Sequence, residues 1–423
     1  MTTPLLDAPA RARARIARAH DAARGIGLLD DTAKADALRA IADAIEAAAA
    51  DIVAANADDL DRGAREALSA GLLDRLRLDE ARVHALATAV RDVAALPDPV
   101  GRVLEERTLP NGVHLQKVSV PFGVVGSIYE ARPNVTVDIA ALALRSGNAV
   151  VLRGGTAAQS TNAALVATMR AALESRGIDP EAIQTVDDFG REGAHALMQA
   201  RGLVDVLVPR GSAQLIETVV TQSAVPVIET GAGVVHIVLD SSAPLEWAEQ
   251  IVVNAKAQRP SVCNAVETVL VLRDAAERLV PPVASALQDA GVTIHGDEAV
   301  RSLVAGAVAA TDADWSTEHM SLDLSMRVVD DLDDALAHIR RYSTHHTESI
   351  VTADTANAER FLAEVDSAVV MANASTRFTD GGEFGFGAEV GISTQKLHAR
   401  GPMGLPELTS TKWLARGSGQ IRP

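Results

Sequence analysis

Residues from about 8 to 95 carry apolar side chains at helical spacing. Leu38, Ile41, Ile45 and Ile52 recur at intervals of three, four and seven positions, and alanine-rich, charged positions fill the gaps between them. An apolar stripe with this period is typical of helices that bury one face. The sequence therefore predicts a helical N-terminal region.

After Val118 the pattern changes to short apolar runs that alternate with longer helical patterns. Strand-like runs occur at 118–129, 148–153, 182–186 and 204–208, and helical patterns occur at 135–145, 159–176, 191–201 and 212–223. A second alternating series runs from Val234 to about Asn373, with helical patterns that end at Ala257 and span 277–290. Such alternation is typical of parallel sheets covered by helices on both faces. We therefore predict an α/β fold with two such domains.

Two segments fit neither series. Residues 113–118 alternate like an exposed hairpin strand, and the glycine-rich tail from Gly381 to Pro423 has little helical pattern. An edge strand and a tail without a core of their own usually pair with something else. We expect them to form an interface between copies of the chain, which makes the protein a homo-oligomer.

Composition and charge narrow the class of protein. The chain has 423 residues, of which 48% are hydrophobic and 22% charged, as in globular proteins with two or three packed units. No run approaches the roughly 18 apolar residues of a membrane span. The net charge of −17 argues against nucleic acid or an anionic membrane as a partner. The first ten residues lack the apolar core of a signal peptide, so we expect a cytoplasmic protein.

The sequence contains a single cysteine, Cys263. This count excludes an intrachain disulfide and a cysteine-cluster metal site, and the histidines show no metal-ligand spacing, so we predict no metal. Cys263 follows a helical pattern and a polar loop and precedes a strand-like run. A thiol beside Lys256 and Arg259 is a candidate thiolate nucleophile. The alternative is a small apolar side chain that fills a buried loop.

Other candidate chemistry follows the strand-like runs. Asn134 closes the loop after one run, Arg153 and Thr156 end another, and Glu229 lies before the second series. There is no G-x-G-x-x-G dinucleotide fingerprint and no P-loop. In their order along the chain, Asn134, Glu229 and Cys263 resemble the aldehyde dehydrogenase superfamily. The resemblance implies an oxyanion-binding asparagine, a glutamate and a cysteine nucleophile.

Three longer segments resemble one branch of that superfamily. Residues 129–136 read Tyr-Glu-Ala-Arg-Pro-Asn-Val-Thr, and residues 254–263 read Asn-Ala-Lys-Ala-Gln-Arg-Pro-Ser-Val-Cys. Residues 387–404 read Gly-Ala-Glu-Val-Gly-Ile-Ser-Thr-Gln-Lys-Leu-His-Ala-Arg-Gly-Pro-Met-Gly. These segments are similar to the gamma-glutamyl phosphate reductases, and the resemblance extends over essentially the whole chain.

The resemblance implies an aldehyde dehydrogenase-like fold with two parallel-sheet α/β domains and a small β oligomerisation element. The implied parts are a nucleotide-binding domain with N-terminal helices (1–108 and 121–230), a catalytic domain (231–380), and an oligomerisation hairpin and tail (109–120 and 395–423). The implied reaction is the NADPH-dependent reduction of L-glutamyl 5-phosphate to L-glutamate 5-semialdehyde and phosphate in proline biosynthesis, through a cysteine thioester. Glutamate 5-kinase, which makes the labile acyl phosphate, is a candidate partner. A hydrolytic semialdehyde dehydrogenase and a catalytically silent binding subunit stay open as alternatives.

The resemblance also implies the remaining site residues. NADP(H) is expected at Arg153, Thr156, Gly211, Ser212 and Glu318, and the substrate at Arg132, Arg259, Lys256 and His398. No Asp or Glu occurs between Gly147 and Arg170, so no carboxylate there repels a 2′-phosphate, and this favours NADP(H) over NAD(H).

Two of these roles have alternatives. An asparagine that follows a proline before a helix, such as Asn134, also fits a helix N-cap. Glu229 fits a catalytic acid or base, or a residue that only shapes its loop.

Overall fold

The computed structural model describes residues 7–130 and 132–422, and only the backbone of Ala70. Predicted features that include residues 1–6, Ala131 or Pro423 lie outside the described residues at those positions. The described chain divides into two compact units. The first runs to Glu229 and includes Gly385–Gly391 and the chain from Met403 onward, and the second comprises Thr230–Phe384 and Ile392–Pro402.

The N-terminal part of the first unit is helical, as its apolar spacing predicts. The helices are α1 (Ala8–Gly27), α2 (Asp31–Ala47), α3 (Ala49–Arg65), α4 (Ala70–Leu76) and α5 (Glu80–Ala95). Asp7, Asp30 and Asp79 begin α1, α2 and α5 by accepting hydrogen bonds from backbone N–H groups. None of the helices in the described chain is long and apolar enough to cross a membrane.

The alternating part of the first unit folds around a parallel sheet. The elements are β1 (Val103–Thr108), β2 (His114–Pro121), β3 (Val124–Tyr129), α6 (Pro133–Arg145), β4 (Ala149–Arg153), α7 (Gln159–Ser175), β5 (Ile183–Thr185), α8 (Gly190–Met198), β6 (Val206–Arg210) and α9 (Ala213–Gln222). Strands β3 to β6 pair in the order β5-β4-β3-β6, and every pairing is parallel. The prediction of parallel strands in this region is confirmed.

Residues 118–129, predicted as one strand-like run, are two strands in different sheets. The chain turns at Gly123, where φ is +126°. A Cβ at this position would lie 2.5 Å from Oδ2 of Asp205, so glycine meets both the conformational and the steric demand. The same Asp205 oxygen accepts a hydrogen bond from the backbone N–H of Val124 at 2.8 Å. The turn and the start of β3 are therefore fixed together.

The second unit contains the other α/β series. From Thr230 the chain forms β7 (Val235–Leu239), α10 (Leu245–Ala257), β8 (Val266–Leu272), α11 (Arg273–Asp289), β9 (Thr293–Gly296), α12 (Glu298–Leu303), β10 (Val308–Ala309), β11 (Asp323–Val329), α13 (Leu332–Tyr342), β12 (Thr347–Val351), α14 (Thr355–Glu364) and β13 (Val369–Ala372), followed by β14 (Gly391–Ser393) and β15 (Gly401–Met403). Strands β7 to β13 form a parallel sheet in the order β10-β9-β11-β8-β7-β12-β13. Side chains such as Val252, Val269 and Leu279 are fully buried between this sheet and its helices.

The predicted hairpin strand and tail meet in a small antiparallel sheet of the first unit. Strand β16 (Thr409–Arg416) pairs with β2, and β2 pairs with β1, in the order β1-β2-β16. The predicted boundary at residue 108 assigned the residues of β1 to the nucleotide-binding domain and not to this small sheet. The strand could not be recognised because it is exposed along its whole length and has no apolar alternation. Val103, Leu104 and Trp413 are exposed hydrophobic side chains on these strands. A subunit interface at this sheet stays a prediction.

Candidate active site

Cys263 lies in the loop between α10 and β8 and is partly exposed. Gly233, just before β7, lies against the backbone of this loop. A Cβ at position 233 would lie 1.6 Å from the carbonyl oxygen of Cys263, so only glycine lets the two backbones come this close. Gly233 therefore fixes the backbone of this loop at Cys263.

Lys256, in the last turn of α10, is bound inside the second unit. Its side chain is fully buried, and its Nζ donates to Oε2 of Glu267 on β8 at 2.7 Å. Burial lowers the pKa of Lys256 and raises that of Glu267 to about 7, because both charged forms lose their hydration. Lys256 is enclosed and its Nζ already binds Glu267, which disfavours the predicted contact between Lys256 and the substrate; that contact stays a prediction.

Glu318, predicted to bind the cofactor, contacts the backbone next to the cysteine loop. Its Oε1 accepts a hydrogen bond from the N–H of Gly233 at 2.8 Å. Burial raises the pKa of Glu318, and the bond from Gly233 and the charge of Lys256 oppose that rise. Two residues later, the N–H of Met320 donates to Oε1 of Glu267 at 3.3 Å. The segment before β11 that carries Glu318 and Met320 is thus hydrogen-bonded both to Gly233 and to the buried ion pair.

Arg377 is a cation that contacts the cysteine loop, and the sequence analysis did not identify it. Its Nη1 donates to Oδ1 of Asn264, the residue after Cys263, and its Nε donates to Gln258 at 2.9 Å. Burial lowers the pKa of Arg377; the negative charges of Asp380, Cys263 and Glu383 oppose that shift, and the charge of Arg259 adds to it. The only signal would have been spatial, because Arg377 lies far along the chain in a short 3₁₀ turn, Thr376–Phe378, after β13.

Asn134 lies in the first turn of α6, but it is not the N-cap. The helix begins at Pro133, and its N-cap is Arg132, which makes no side-chain capping bond. The Nδ2 of Asn134 instead donates to Oδ2 of Asp138, one turn further along the helix, at 3.1 Å. Burial raises the pKa of Asp138 to about 6. The N-cap alternative is wrong, and one of the two amide N–H donors of Asn134 is held by Asp138.

A buried polar chain links the helix that carries Asn134 to the end of β4. The hydroxyl of Tyr129 lies 2.6 Å from that of Thr136, which donates to Asn162 at 2.8 Å. Asn162 donates to Asp187 at 3.0 Å, and Asp187 accepts from the N–H of Gly154 at 2.7 Å. These bonds connect β3, α6, α7 and the turn after β4, so they set the positions of Asn134 and Arg153 on one framework.

The predicted ribose-binding residues follow β4. Arg153 ends this strand, and its buried Nε makes no hydrogen bond within the described residues. Thr156 begins a short 3₁₀ turn, Thr156–Ala158, and is exposed. A buried guanidinium nitrogen without a hydrogen bond fits a ligand that brings negative oxygens, and Asp187 is a carboxylate whose charge also acts on Arg153. Arg153 therefore fits an anionic group of a nicotinamide cofactor.

Gly211 and Ser212, predicted to bind the cofactor, precede α9. Ser212 is the N-cap of this helix, and both residues are exposed. The carboxylate of Glu130 accepts hydrogen bonds from the N–H of Ser212 at 3.1 Å and from its hydroxyl at 2.7 Å. The carboxylate of Glu130 therefore occupies this helix N-terminus, and a phosphate can bind there only when Glu130 moves away.

The other predicted residues have these positions. Arg132 is exposed before α6, and Glu229 is partly exposed after Ile228, whose N–H donates to the carbonyl of Leu207 at 2.9 Å. Arg259 is exposed in the cysteine loop, and His398 is exposed before β15. Asn134 and Glu229 thus belong to the first unit, whereas Cys263, Arg259 and His398 belong to the second. Among residues 7–130 and 132–422, no group of His, Cys, Asp and Glu side chains is arranged to hold a metal ion.

Comparison with known proteins places this chain in a family. The model of the aldehyde dehydrogenase family matches residues 4–319. The gamma-glutamyl phosphate reductase of Leifsonia xyli subsp. xyli is 67% identical over 408 residues, which cover 96% of this chain and 97% of the relative. The enzyme of the same name from Thermobifida fusca is 55% identical over 405 residues, which cover 96% of this chain and 97% of the relative.

A solved structure agrees with these relatives. The crystal structure of gamma-glutamyl phosphate reductase from Thermotoga maritima superimposes with a TM-score of 0.95 at 39% identity, covering 99% of this chain and 100% of that chain. The predicted aldehyde dehydrogenase-like fold is confirmed. The chain is therefore an oxidoreductase of the aldehyde dehydrogenase family and belongs to its gamma-glutamyl phosphate reductase branch.

Proposed function

We propose that this chain reduces L-glutamyl 5-phosphate to L-glutamate 5-semialdehyde and phosphate with NADPH, in the biosynthesis of proline. The observation that carries the proposal is the position of Cys263, a partly exposed residue on a loop held by Gly233. It is supported by relatives named gamma-glutamyl phosphate reductase that align over 96% of the chain. The names of the relatives support the substrate and its reduction, and the placement of Cys263 supports acyl transfer through its sulfur.

The chemistry begins with Cys263. Its thiolate attacks the acyl carbon of the mixed anhydride, the bond to the phosphate oxygen breaks, and phosphate leaves with the bonding electron pair. The product is a thioester on Cys263. NADPH, when bound, supplies the hydride that reduces this thioester. The resulting thiohemiacetal collapses, releases the semialdehyde and returns the thiolate to Cys263.

Each tetrahedral stage carries a negative oxygen that needs hydrogen-bond donors. We assign this role to the amide of Asn134 and the backbone N–H of Cys263. The bond from Asn134 to Asp138 leaves the second amide N–H as the donor and fixes its direction. Arg377, bound to Asn264 beside the nucleophile, favours the thiolate by its charge.

For cofactor choice we propose NADP(H), with Arg153 and Thr156 at the 2′-phosphate, Gly211 and Ser212 at the pyrophosphate, and Glu318 in the second unit. The unpartnered Nε of Arg153 and the exposed Thr156 support this choice. A carboxylate at position 156 would repel a 2′-phosphate, and none is present there. For the substrate we propose Arg132, Arg259 and His398, which are exposed.

Further parts of the function stay proposals. We propose a homo-oligomer that forms through the sheet β1-β2-β16, whose strands carry exposed hydrophobic side chains. Transfer of the labile substrate from glutamate 5-kinase and a cytoplasmic location stay predictions from the sequence. Glu229 serves as an acid or base toward the thiol or shapes its loop, since activation of water would waste the thioester in a reductive pathway.

One assay tests the proposed reaction and separates it from a hydrolytic dehydrogenase. The equilibrated semialdehyde and NADP⁺ are mixed with the protein, with and without inorganic phosphate, and steady NADPH formation is measured. The proposal expects sustained turnover only with phosphate, because phosphate must release the acyl group from Cys263 in this direction. Equal rates without phosphate would establish hydrolysis instead, and no turnover in either case would support a silent binding subunit.

A further inference from the structure

The turn that carries Thr156 is held by a helix from the N-terminal region. Asp59 and Arg62 lie one turn apart on α3, and Asp59 is fully buried. Its carboxylate accepts hydrogen bonds from the N–H of Ser160 at 3.1 Å and from the N–H and hydroxyl of Thr161 at 2.8 and 2.6 Å. The negative charge of Asp59 is therefore directed at the first turn of α7, which has a positive helix end.

Arg62 stands on the solvent side of the same turn. Its Nη2 pairs with Asp59 and donates to the carbonyls of Thr156 at 3.0 Å and Ala157 at 3.2 Å. The side chain is 31% exposed. All its hydrogen bonds within the described residues use Nη2, so Nε and Nη1 keep donors for another ligand. A guanidinium is thus fixed beside the exposed Thr156 with part of its fork still available.

We propose that Arg62 binds the 2′-phosphate of NADPH and is a determinant of the preference for NADP(H) over NAD(H). The inference rests on the proposed cofactor site at Arg153 and Thr156, and it adds a cation from outside the βαβ unit. A phosphate monoester is a dianion at neutral pH, and a guanidinium donates to it through parallel N–H groups. The carbonyls of the turn orient Arg62 before the ligand arrives, which reduces the entropy lost on binding.

The rival interpretation is that Arg62 only fastens the turn to α3. Loss of such a fastening would disturb the whole nucleotide site, so ligands with and without a 2′-phosphate would weaken together. If Arg62 binds the 2′-phosphate itself, its loss weakens only the ligand that carries a 2′-phosphate. The comparison between 2′,5′-ADP and 5′-AMP separates these cases, because the two molecules differ only in the 2′-phosphate.

The test measures equilibrium binding of 2′,5′-ADP and 5′-AMP to the full chain by isothermal titration calorimetry. Arg62→Gln should weaken 2′,5′-ADP roughly tenfold or more, because a charge-assisted contact is lost, and should leave 5′-AMP within about twofold. Arg62→Lys keeps the charge but not the forked guanidinium, so its affinity for 2′,5′-ADP should lie between those of the wild type and Arg62→Gln. Arg65→Gln is the matched control, since Arg65 is exposed on the same helix and its bond goes to the carbonyl of Asp61; it should change neither affinity.

The outcomes separate the two proposals. Equal losses for both ligands in Arg62→Gln, or no loss for either, would overturn the role of Arg62 while the cofactor site stands. Wild-type protein that binds the two ligands equally would overturn the proposed NADP(H) preference, and the role of Arg62 with it. If Arg62→Gln does not fold, Arg62→Lys takes its place. Its affinities for 2′,5′-ADP and 5′-AMP are measured at rising salt concentration, and a ratio of the two that does not change contradicts a charge contact.

Discussion

The two α/β units place their candidate functional groups at opposite ends of their parallel strands. In the first unit, Arg153 ends β4, and Asn134 and Ser212 follow β3 and β6 at the carboxyl ends. In the second unit, Gly233 and Cys263 precede β7 and β8 at the amino ends. Helix N-termini, with their positive ends, follow strand carboxyl ends, so in the first unit helix dipoles assist Arg153 and Arg62, the cations that we propose as ligands of the 2′-phosphate.

The second unit lacks that advantage at its cysteine. Helix α10 leads into the cysteine loop with its carboxyl end, which disfavours a nearby negative charge. A thiolate there needs positive side chains. Arg259 lies in the loop itself, and Arg377 binds Asn264, the residue after Cys263. The carboxyl ends of the same sheet carry a cavity of about 330 Å³ with several aspartates in its wall, which is unsuited to anions. The comparison shows that helix N-termini assist anion binding at the carboxyl ends of parallel strands. At the amino ends of the strands, the positive charge must come from side chains.

The largest expected effect is on the nucleophile. Cys263→Ser should lower turnover by more than about 10³-fold, because a serine alkoxide is far scarcer than a thiolate at neutral pH. Binding of 2′,5′-ADP should be unchanged, because its proposed ligands belong to the first unit. The rate of NADPH oxidation and calorimetric binding check both halves of the prediction. Turnover within a few-fold of the wild type would remove Cys263 from the mechanism.

Asn134→Ala should lower kcat by about 10²–10³, the usual cost of one oxyanion donor. The melting temperature should fall only modestly, because Asn134 is not the helix cap and the variant loses one hydrogen bond, the one to Asp138. Asn134→Asp is an informative companion, since it keeps the size of the side chain but removes the donors. A lower melting temperature with unchanged kcat per folded enzyme would make Asn134 a structural residue only.

Lys256→Met should break the buried pair with Glu267 and cost about 3–5 kcal/mol of stability, because the remaining carboxylate keeps its bond from Met320 but loses its counter-charge. The KM for the acyl phosphate should stay the same in the protein that folds. Denaturant unfolding and steady-state kinetics give the two numbers. The double variant Lys256→Met with Glu267→Leu should recover part of the loss. A raised KM with unchanged stability would restore the predicted substrate contact.

Arg377→Gln should slow alkylation of Cys263 by iodoacetamide roughly tenfold near pH 7, because less of the thiol is ionised without the guanidinium. The chain has one cysteine, so the rate reports a single site. Arg273→Gln serves as the control, since Arg273 pairs with Asp330 at the carboxyl end of β8. Arg377→Lys should keep most of the rate. Equal alkylation rates for wild type and Arg377→Gln would show that Arg377 does not stabilise the thiolate of Cys263.

The smallest expected effect is a pH dependence of stability in the first unit. Burial raises the pKa of Asp138 from 3.8 to about 6, so the folded protein binds this proton more tightly than the unfolded chain. The resulting stabilisation is fully present below about pH 4 and is lost as the pH rises through about 6. Asp138→Asn should remove this component, worth about 2 kcal/mol after allowance for partial exposure. A stability difference between wild type and Asp138→Asn that stays constant from pH 4 to 7 would contradict it.

The sequence predicts those parts of the fold that a local pattern can express. The helical N-terminal region and the alternation of strands and helices follow from apolar periodicity, and both are present. The predicted domain boundary between residues 120 and 121 lies close to the turn at Gly123. The apolar pattern alone joined 118–129 in one run, because the turn depends on Asp205, a residue far along the chain. The exposed strand β1 was missed because it has no buried face.

The site shows the same limit. Candidate residues could be located because the motifs carry them, but their partners could not. Lys256 reads as a basic loop neighbour of the cysteine until its burial against Glu267 is known. Arg377 and Arg62 approach their sites from remote parts of the chain, and nothing in their local sequence indicates it. Contacts of this kind depend on the tertiary fold rather than on spacing.

The central claim is that catalysis passes through a thioester on Cys263 that phosphate, not water, resolves. The most direct measurement mixes the semialdehyde and NADP⁺ with a known amount of protein in phosphate-free buffer, records NADPH in the first turnover and weighs the intact chain by mass spectrometry. We predict a burst of about one NADPH per active site, an acyl adduct on Cys263, and steady turnover only after phosphate is added. Continuous NADPH formation without phosphate, or a burst without an adduct, would contradict the account.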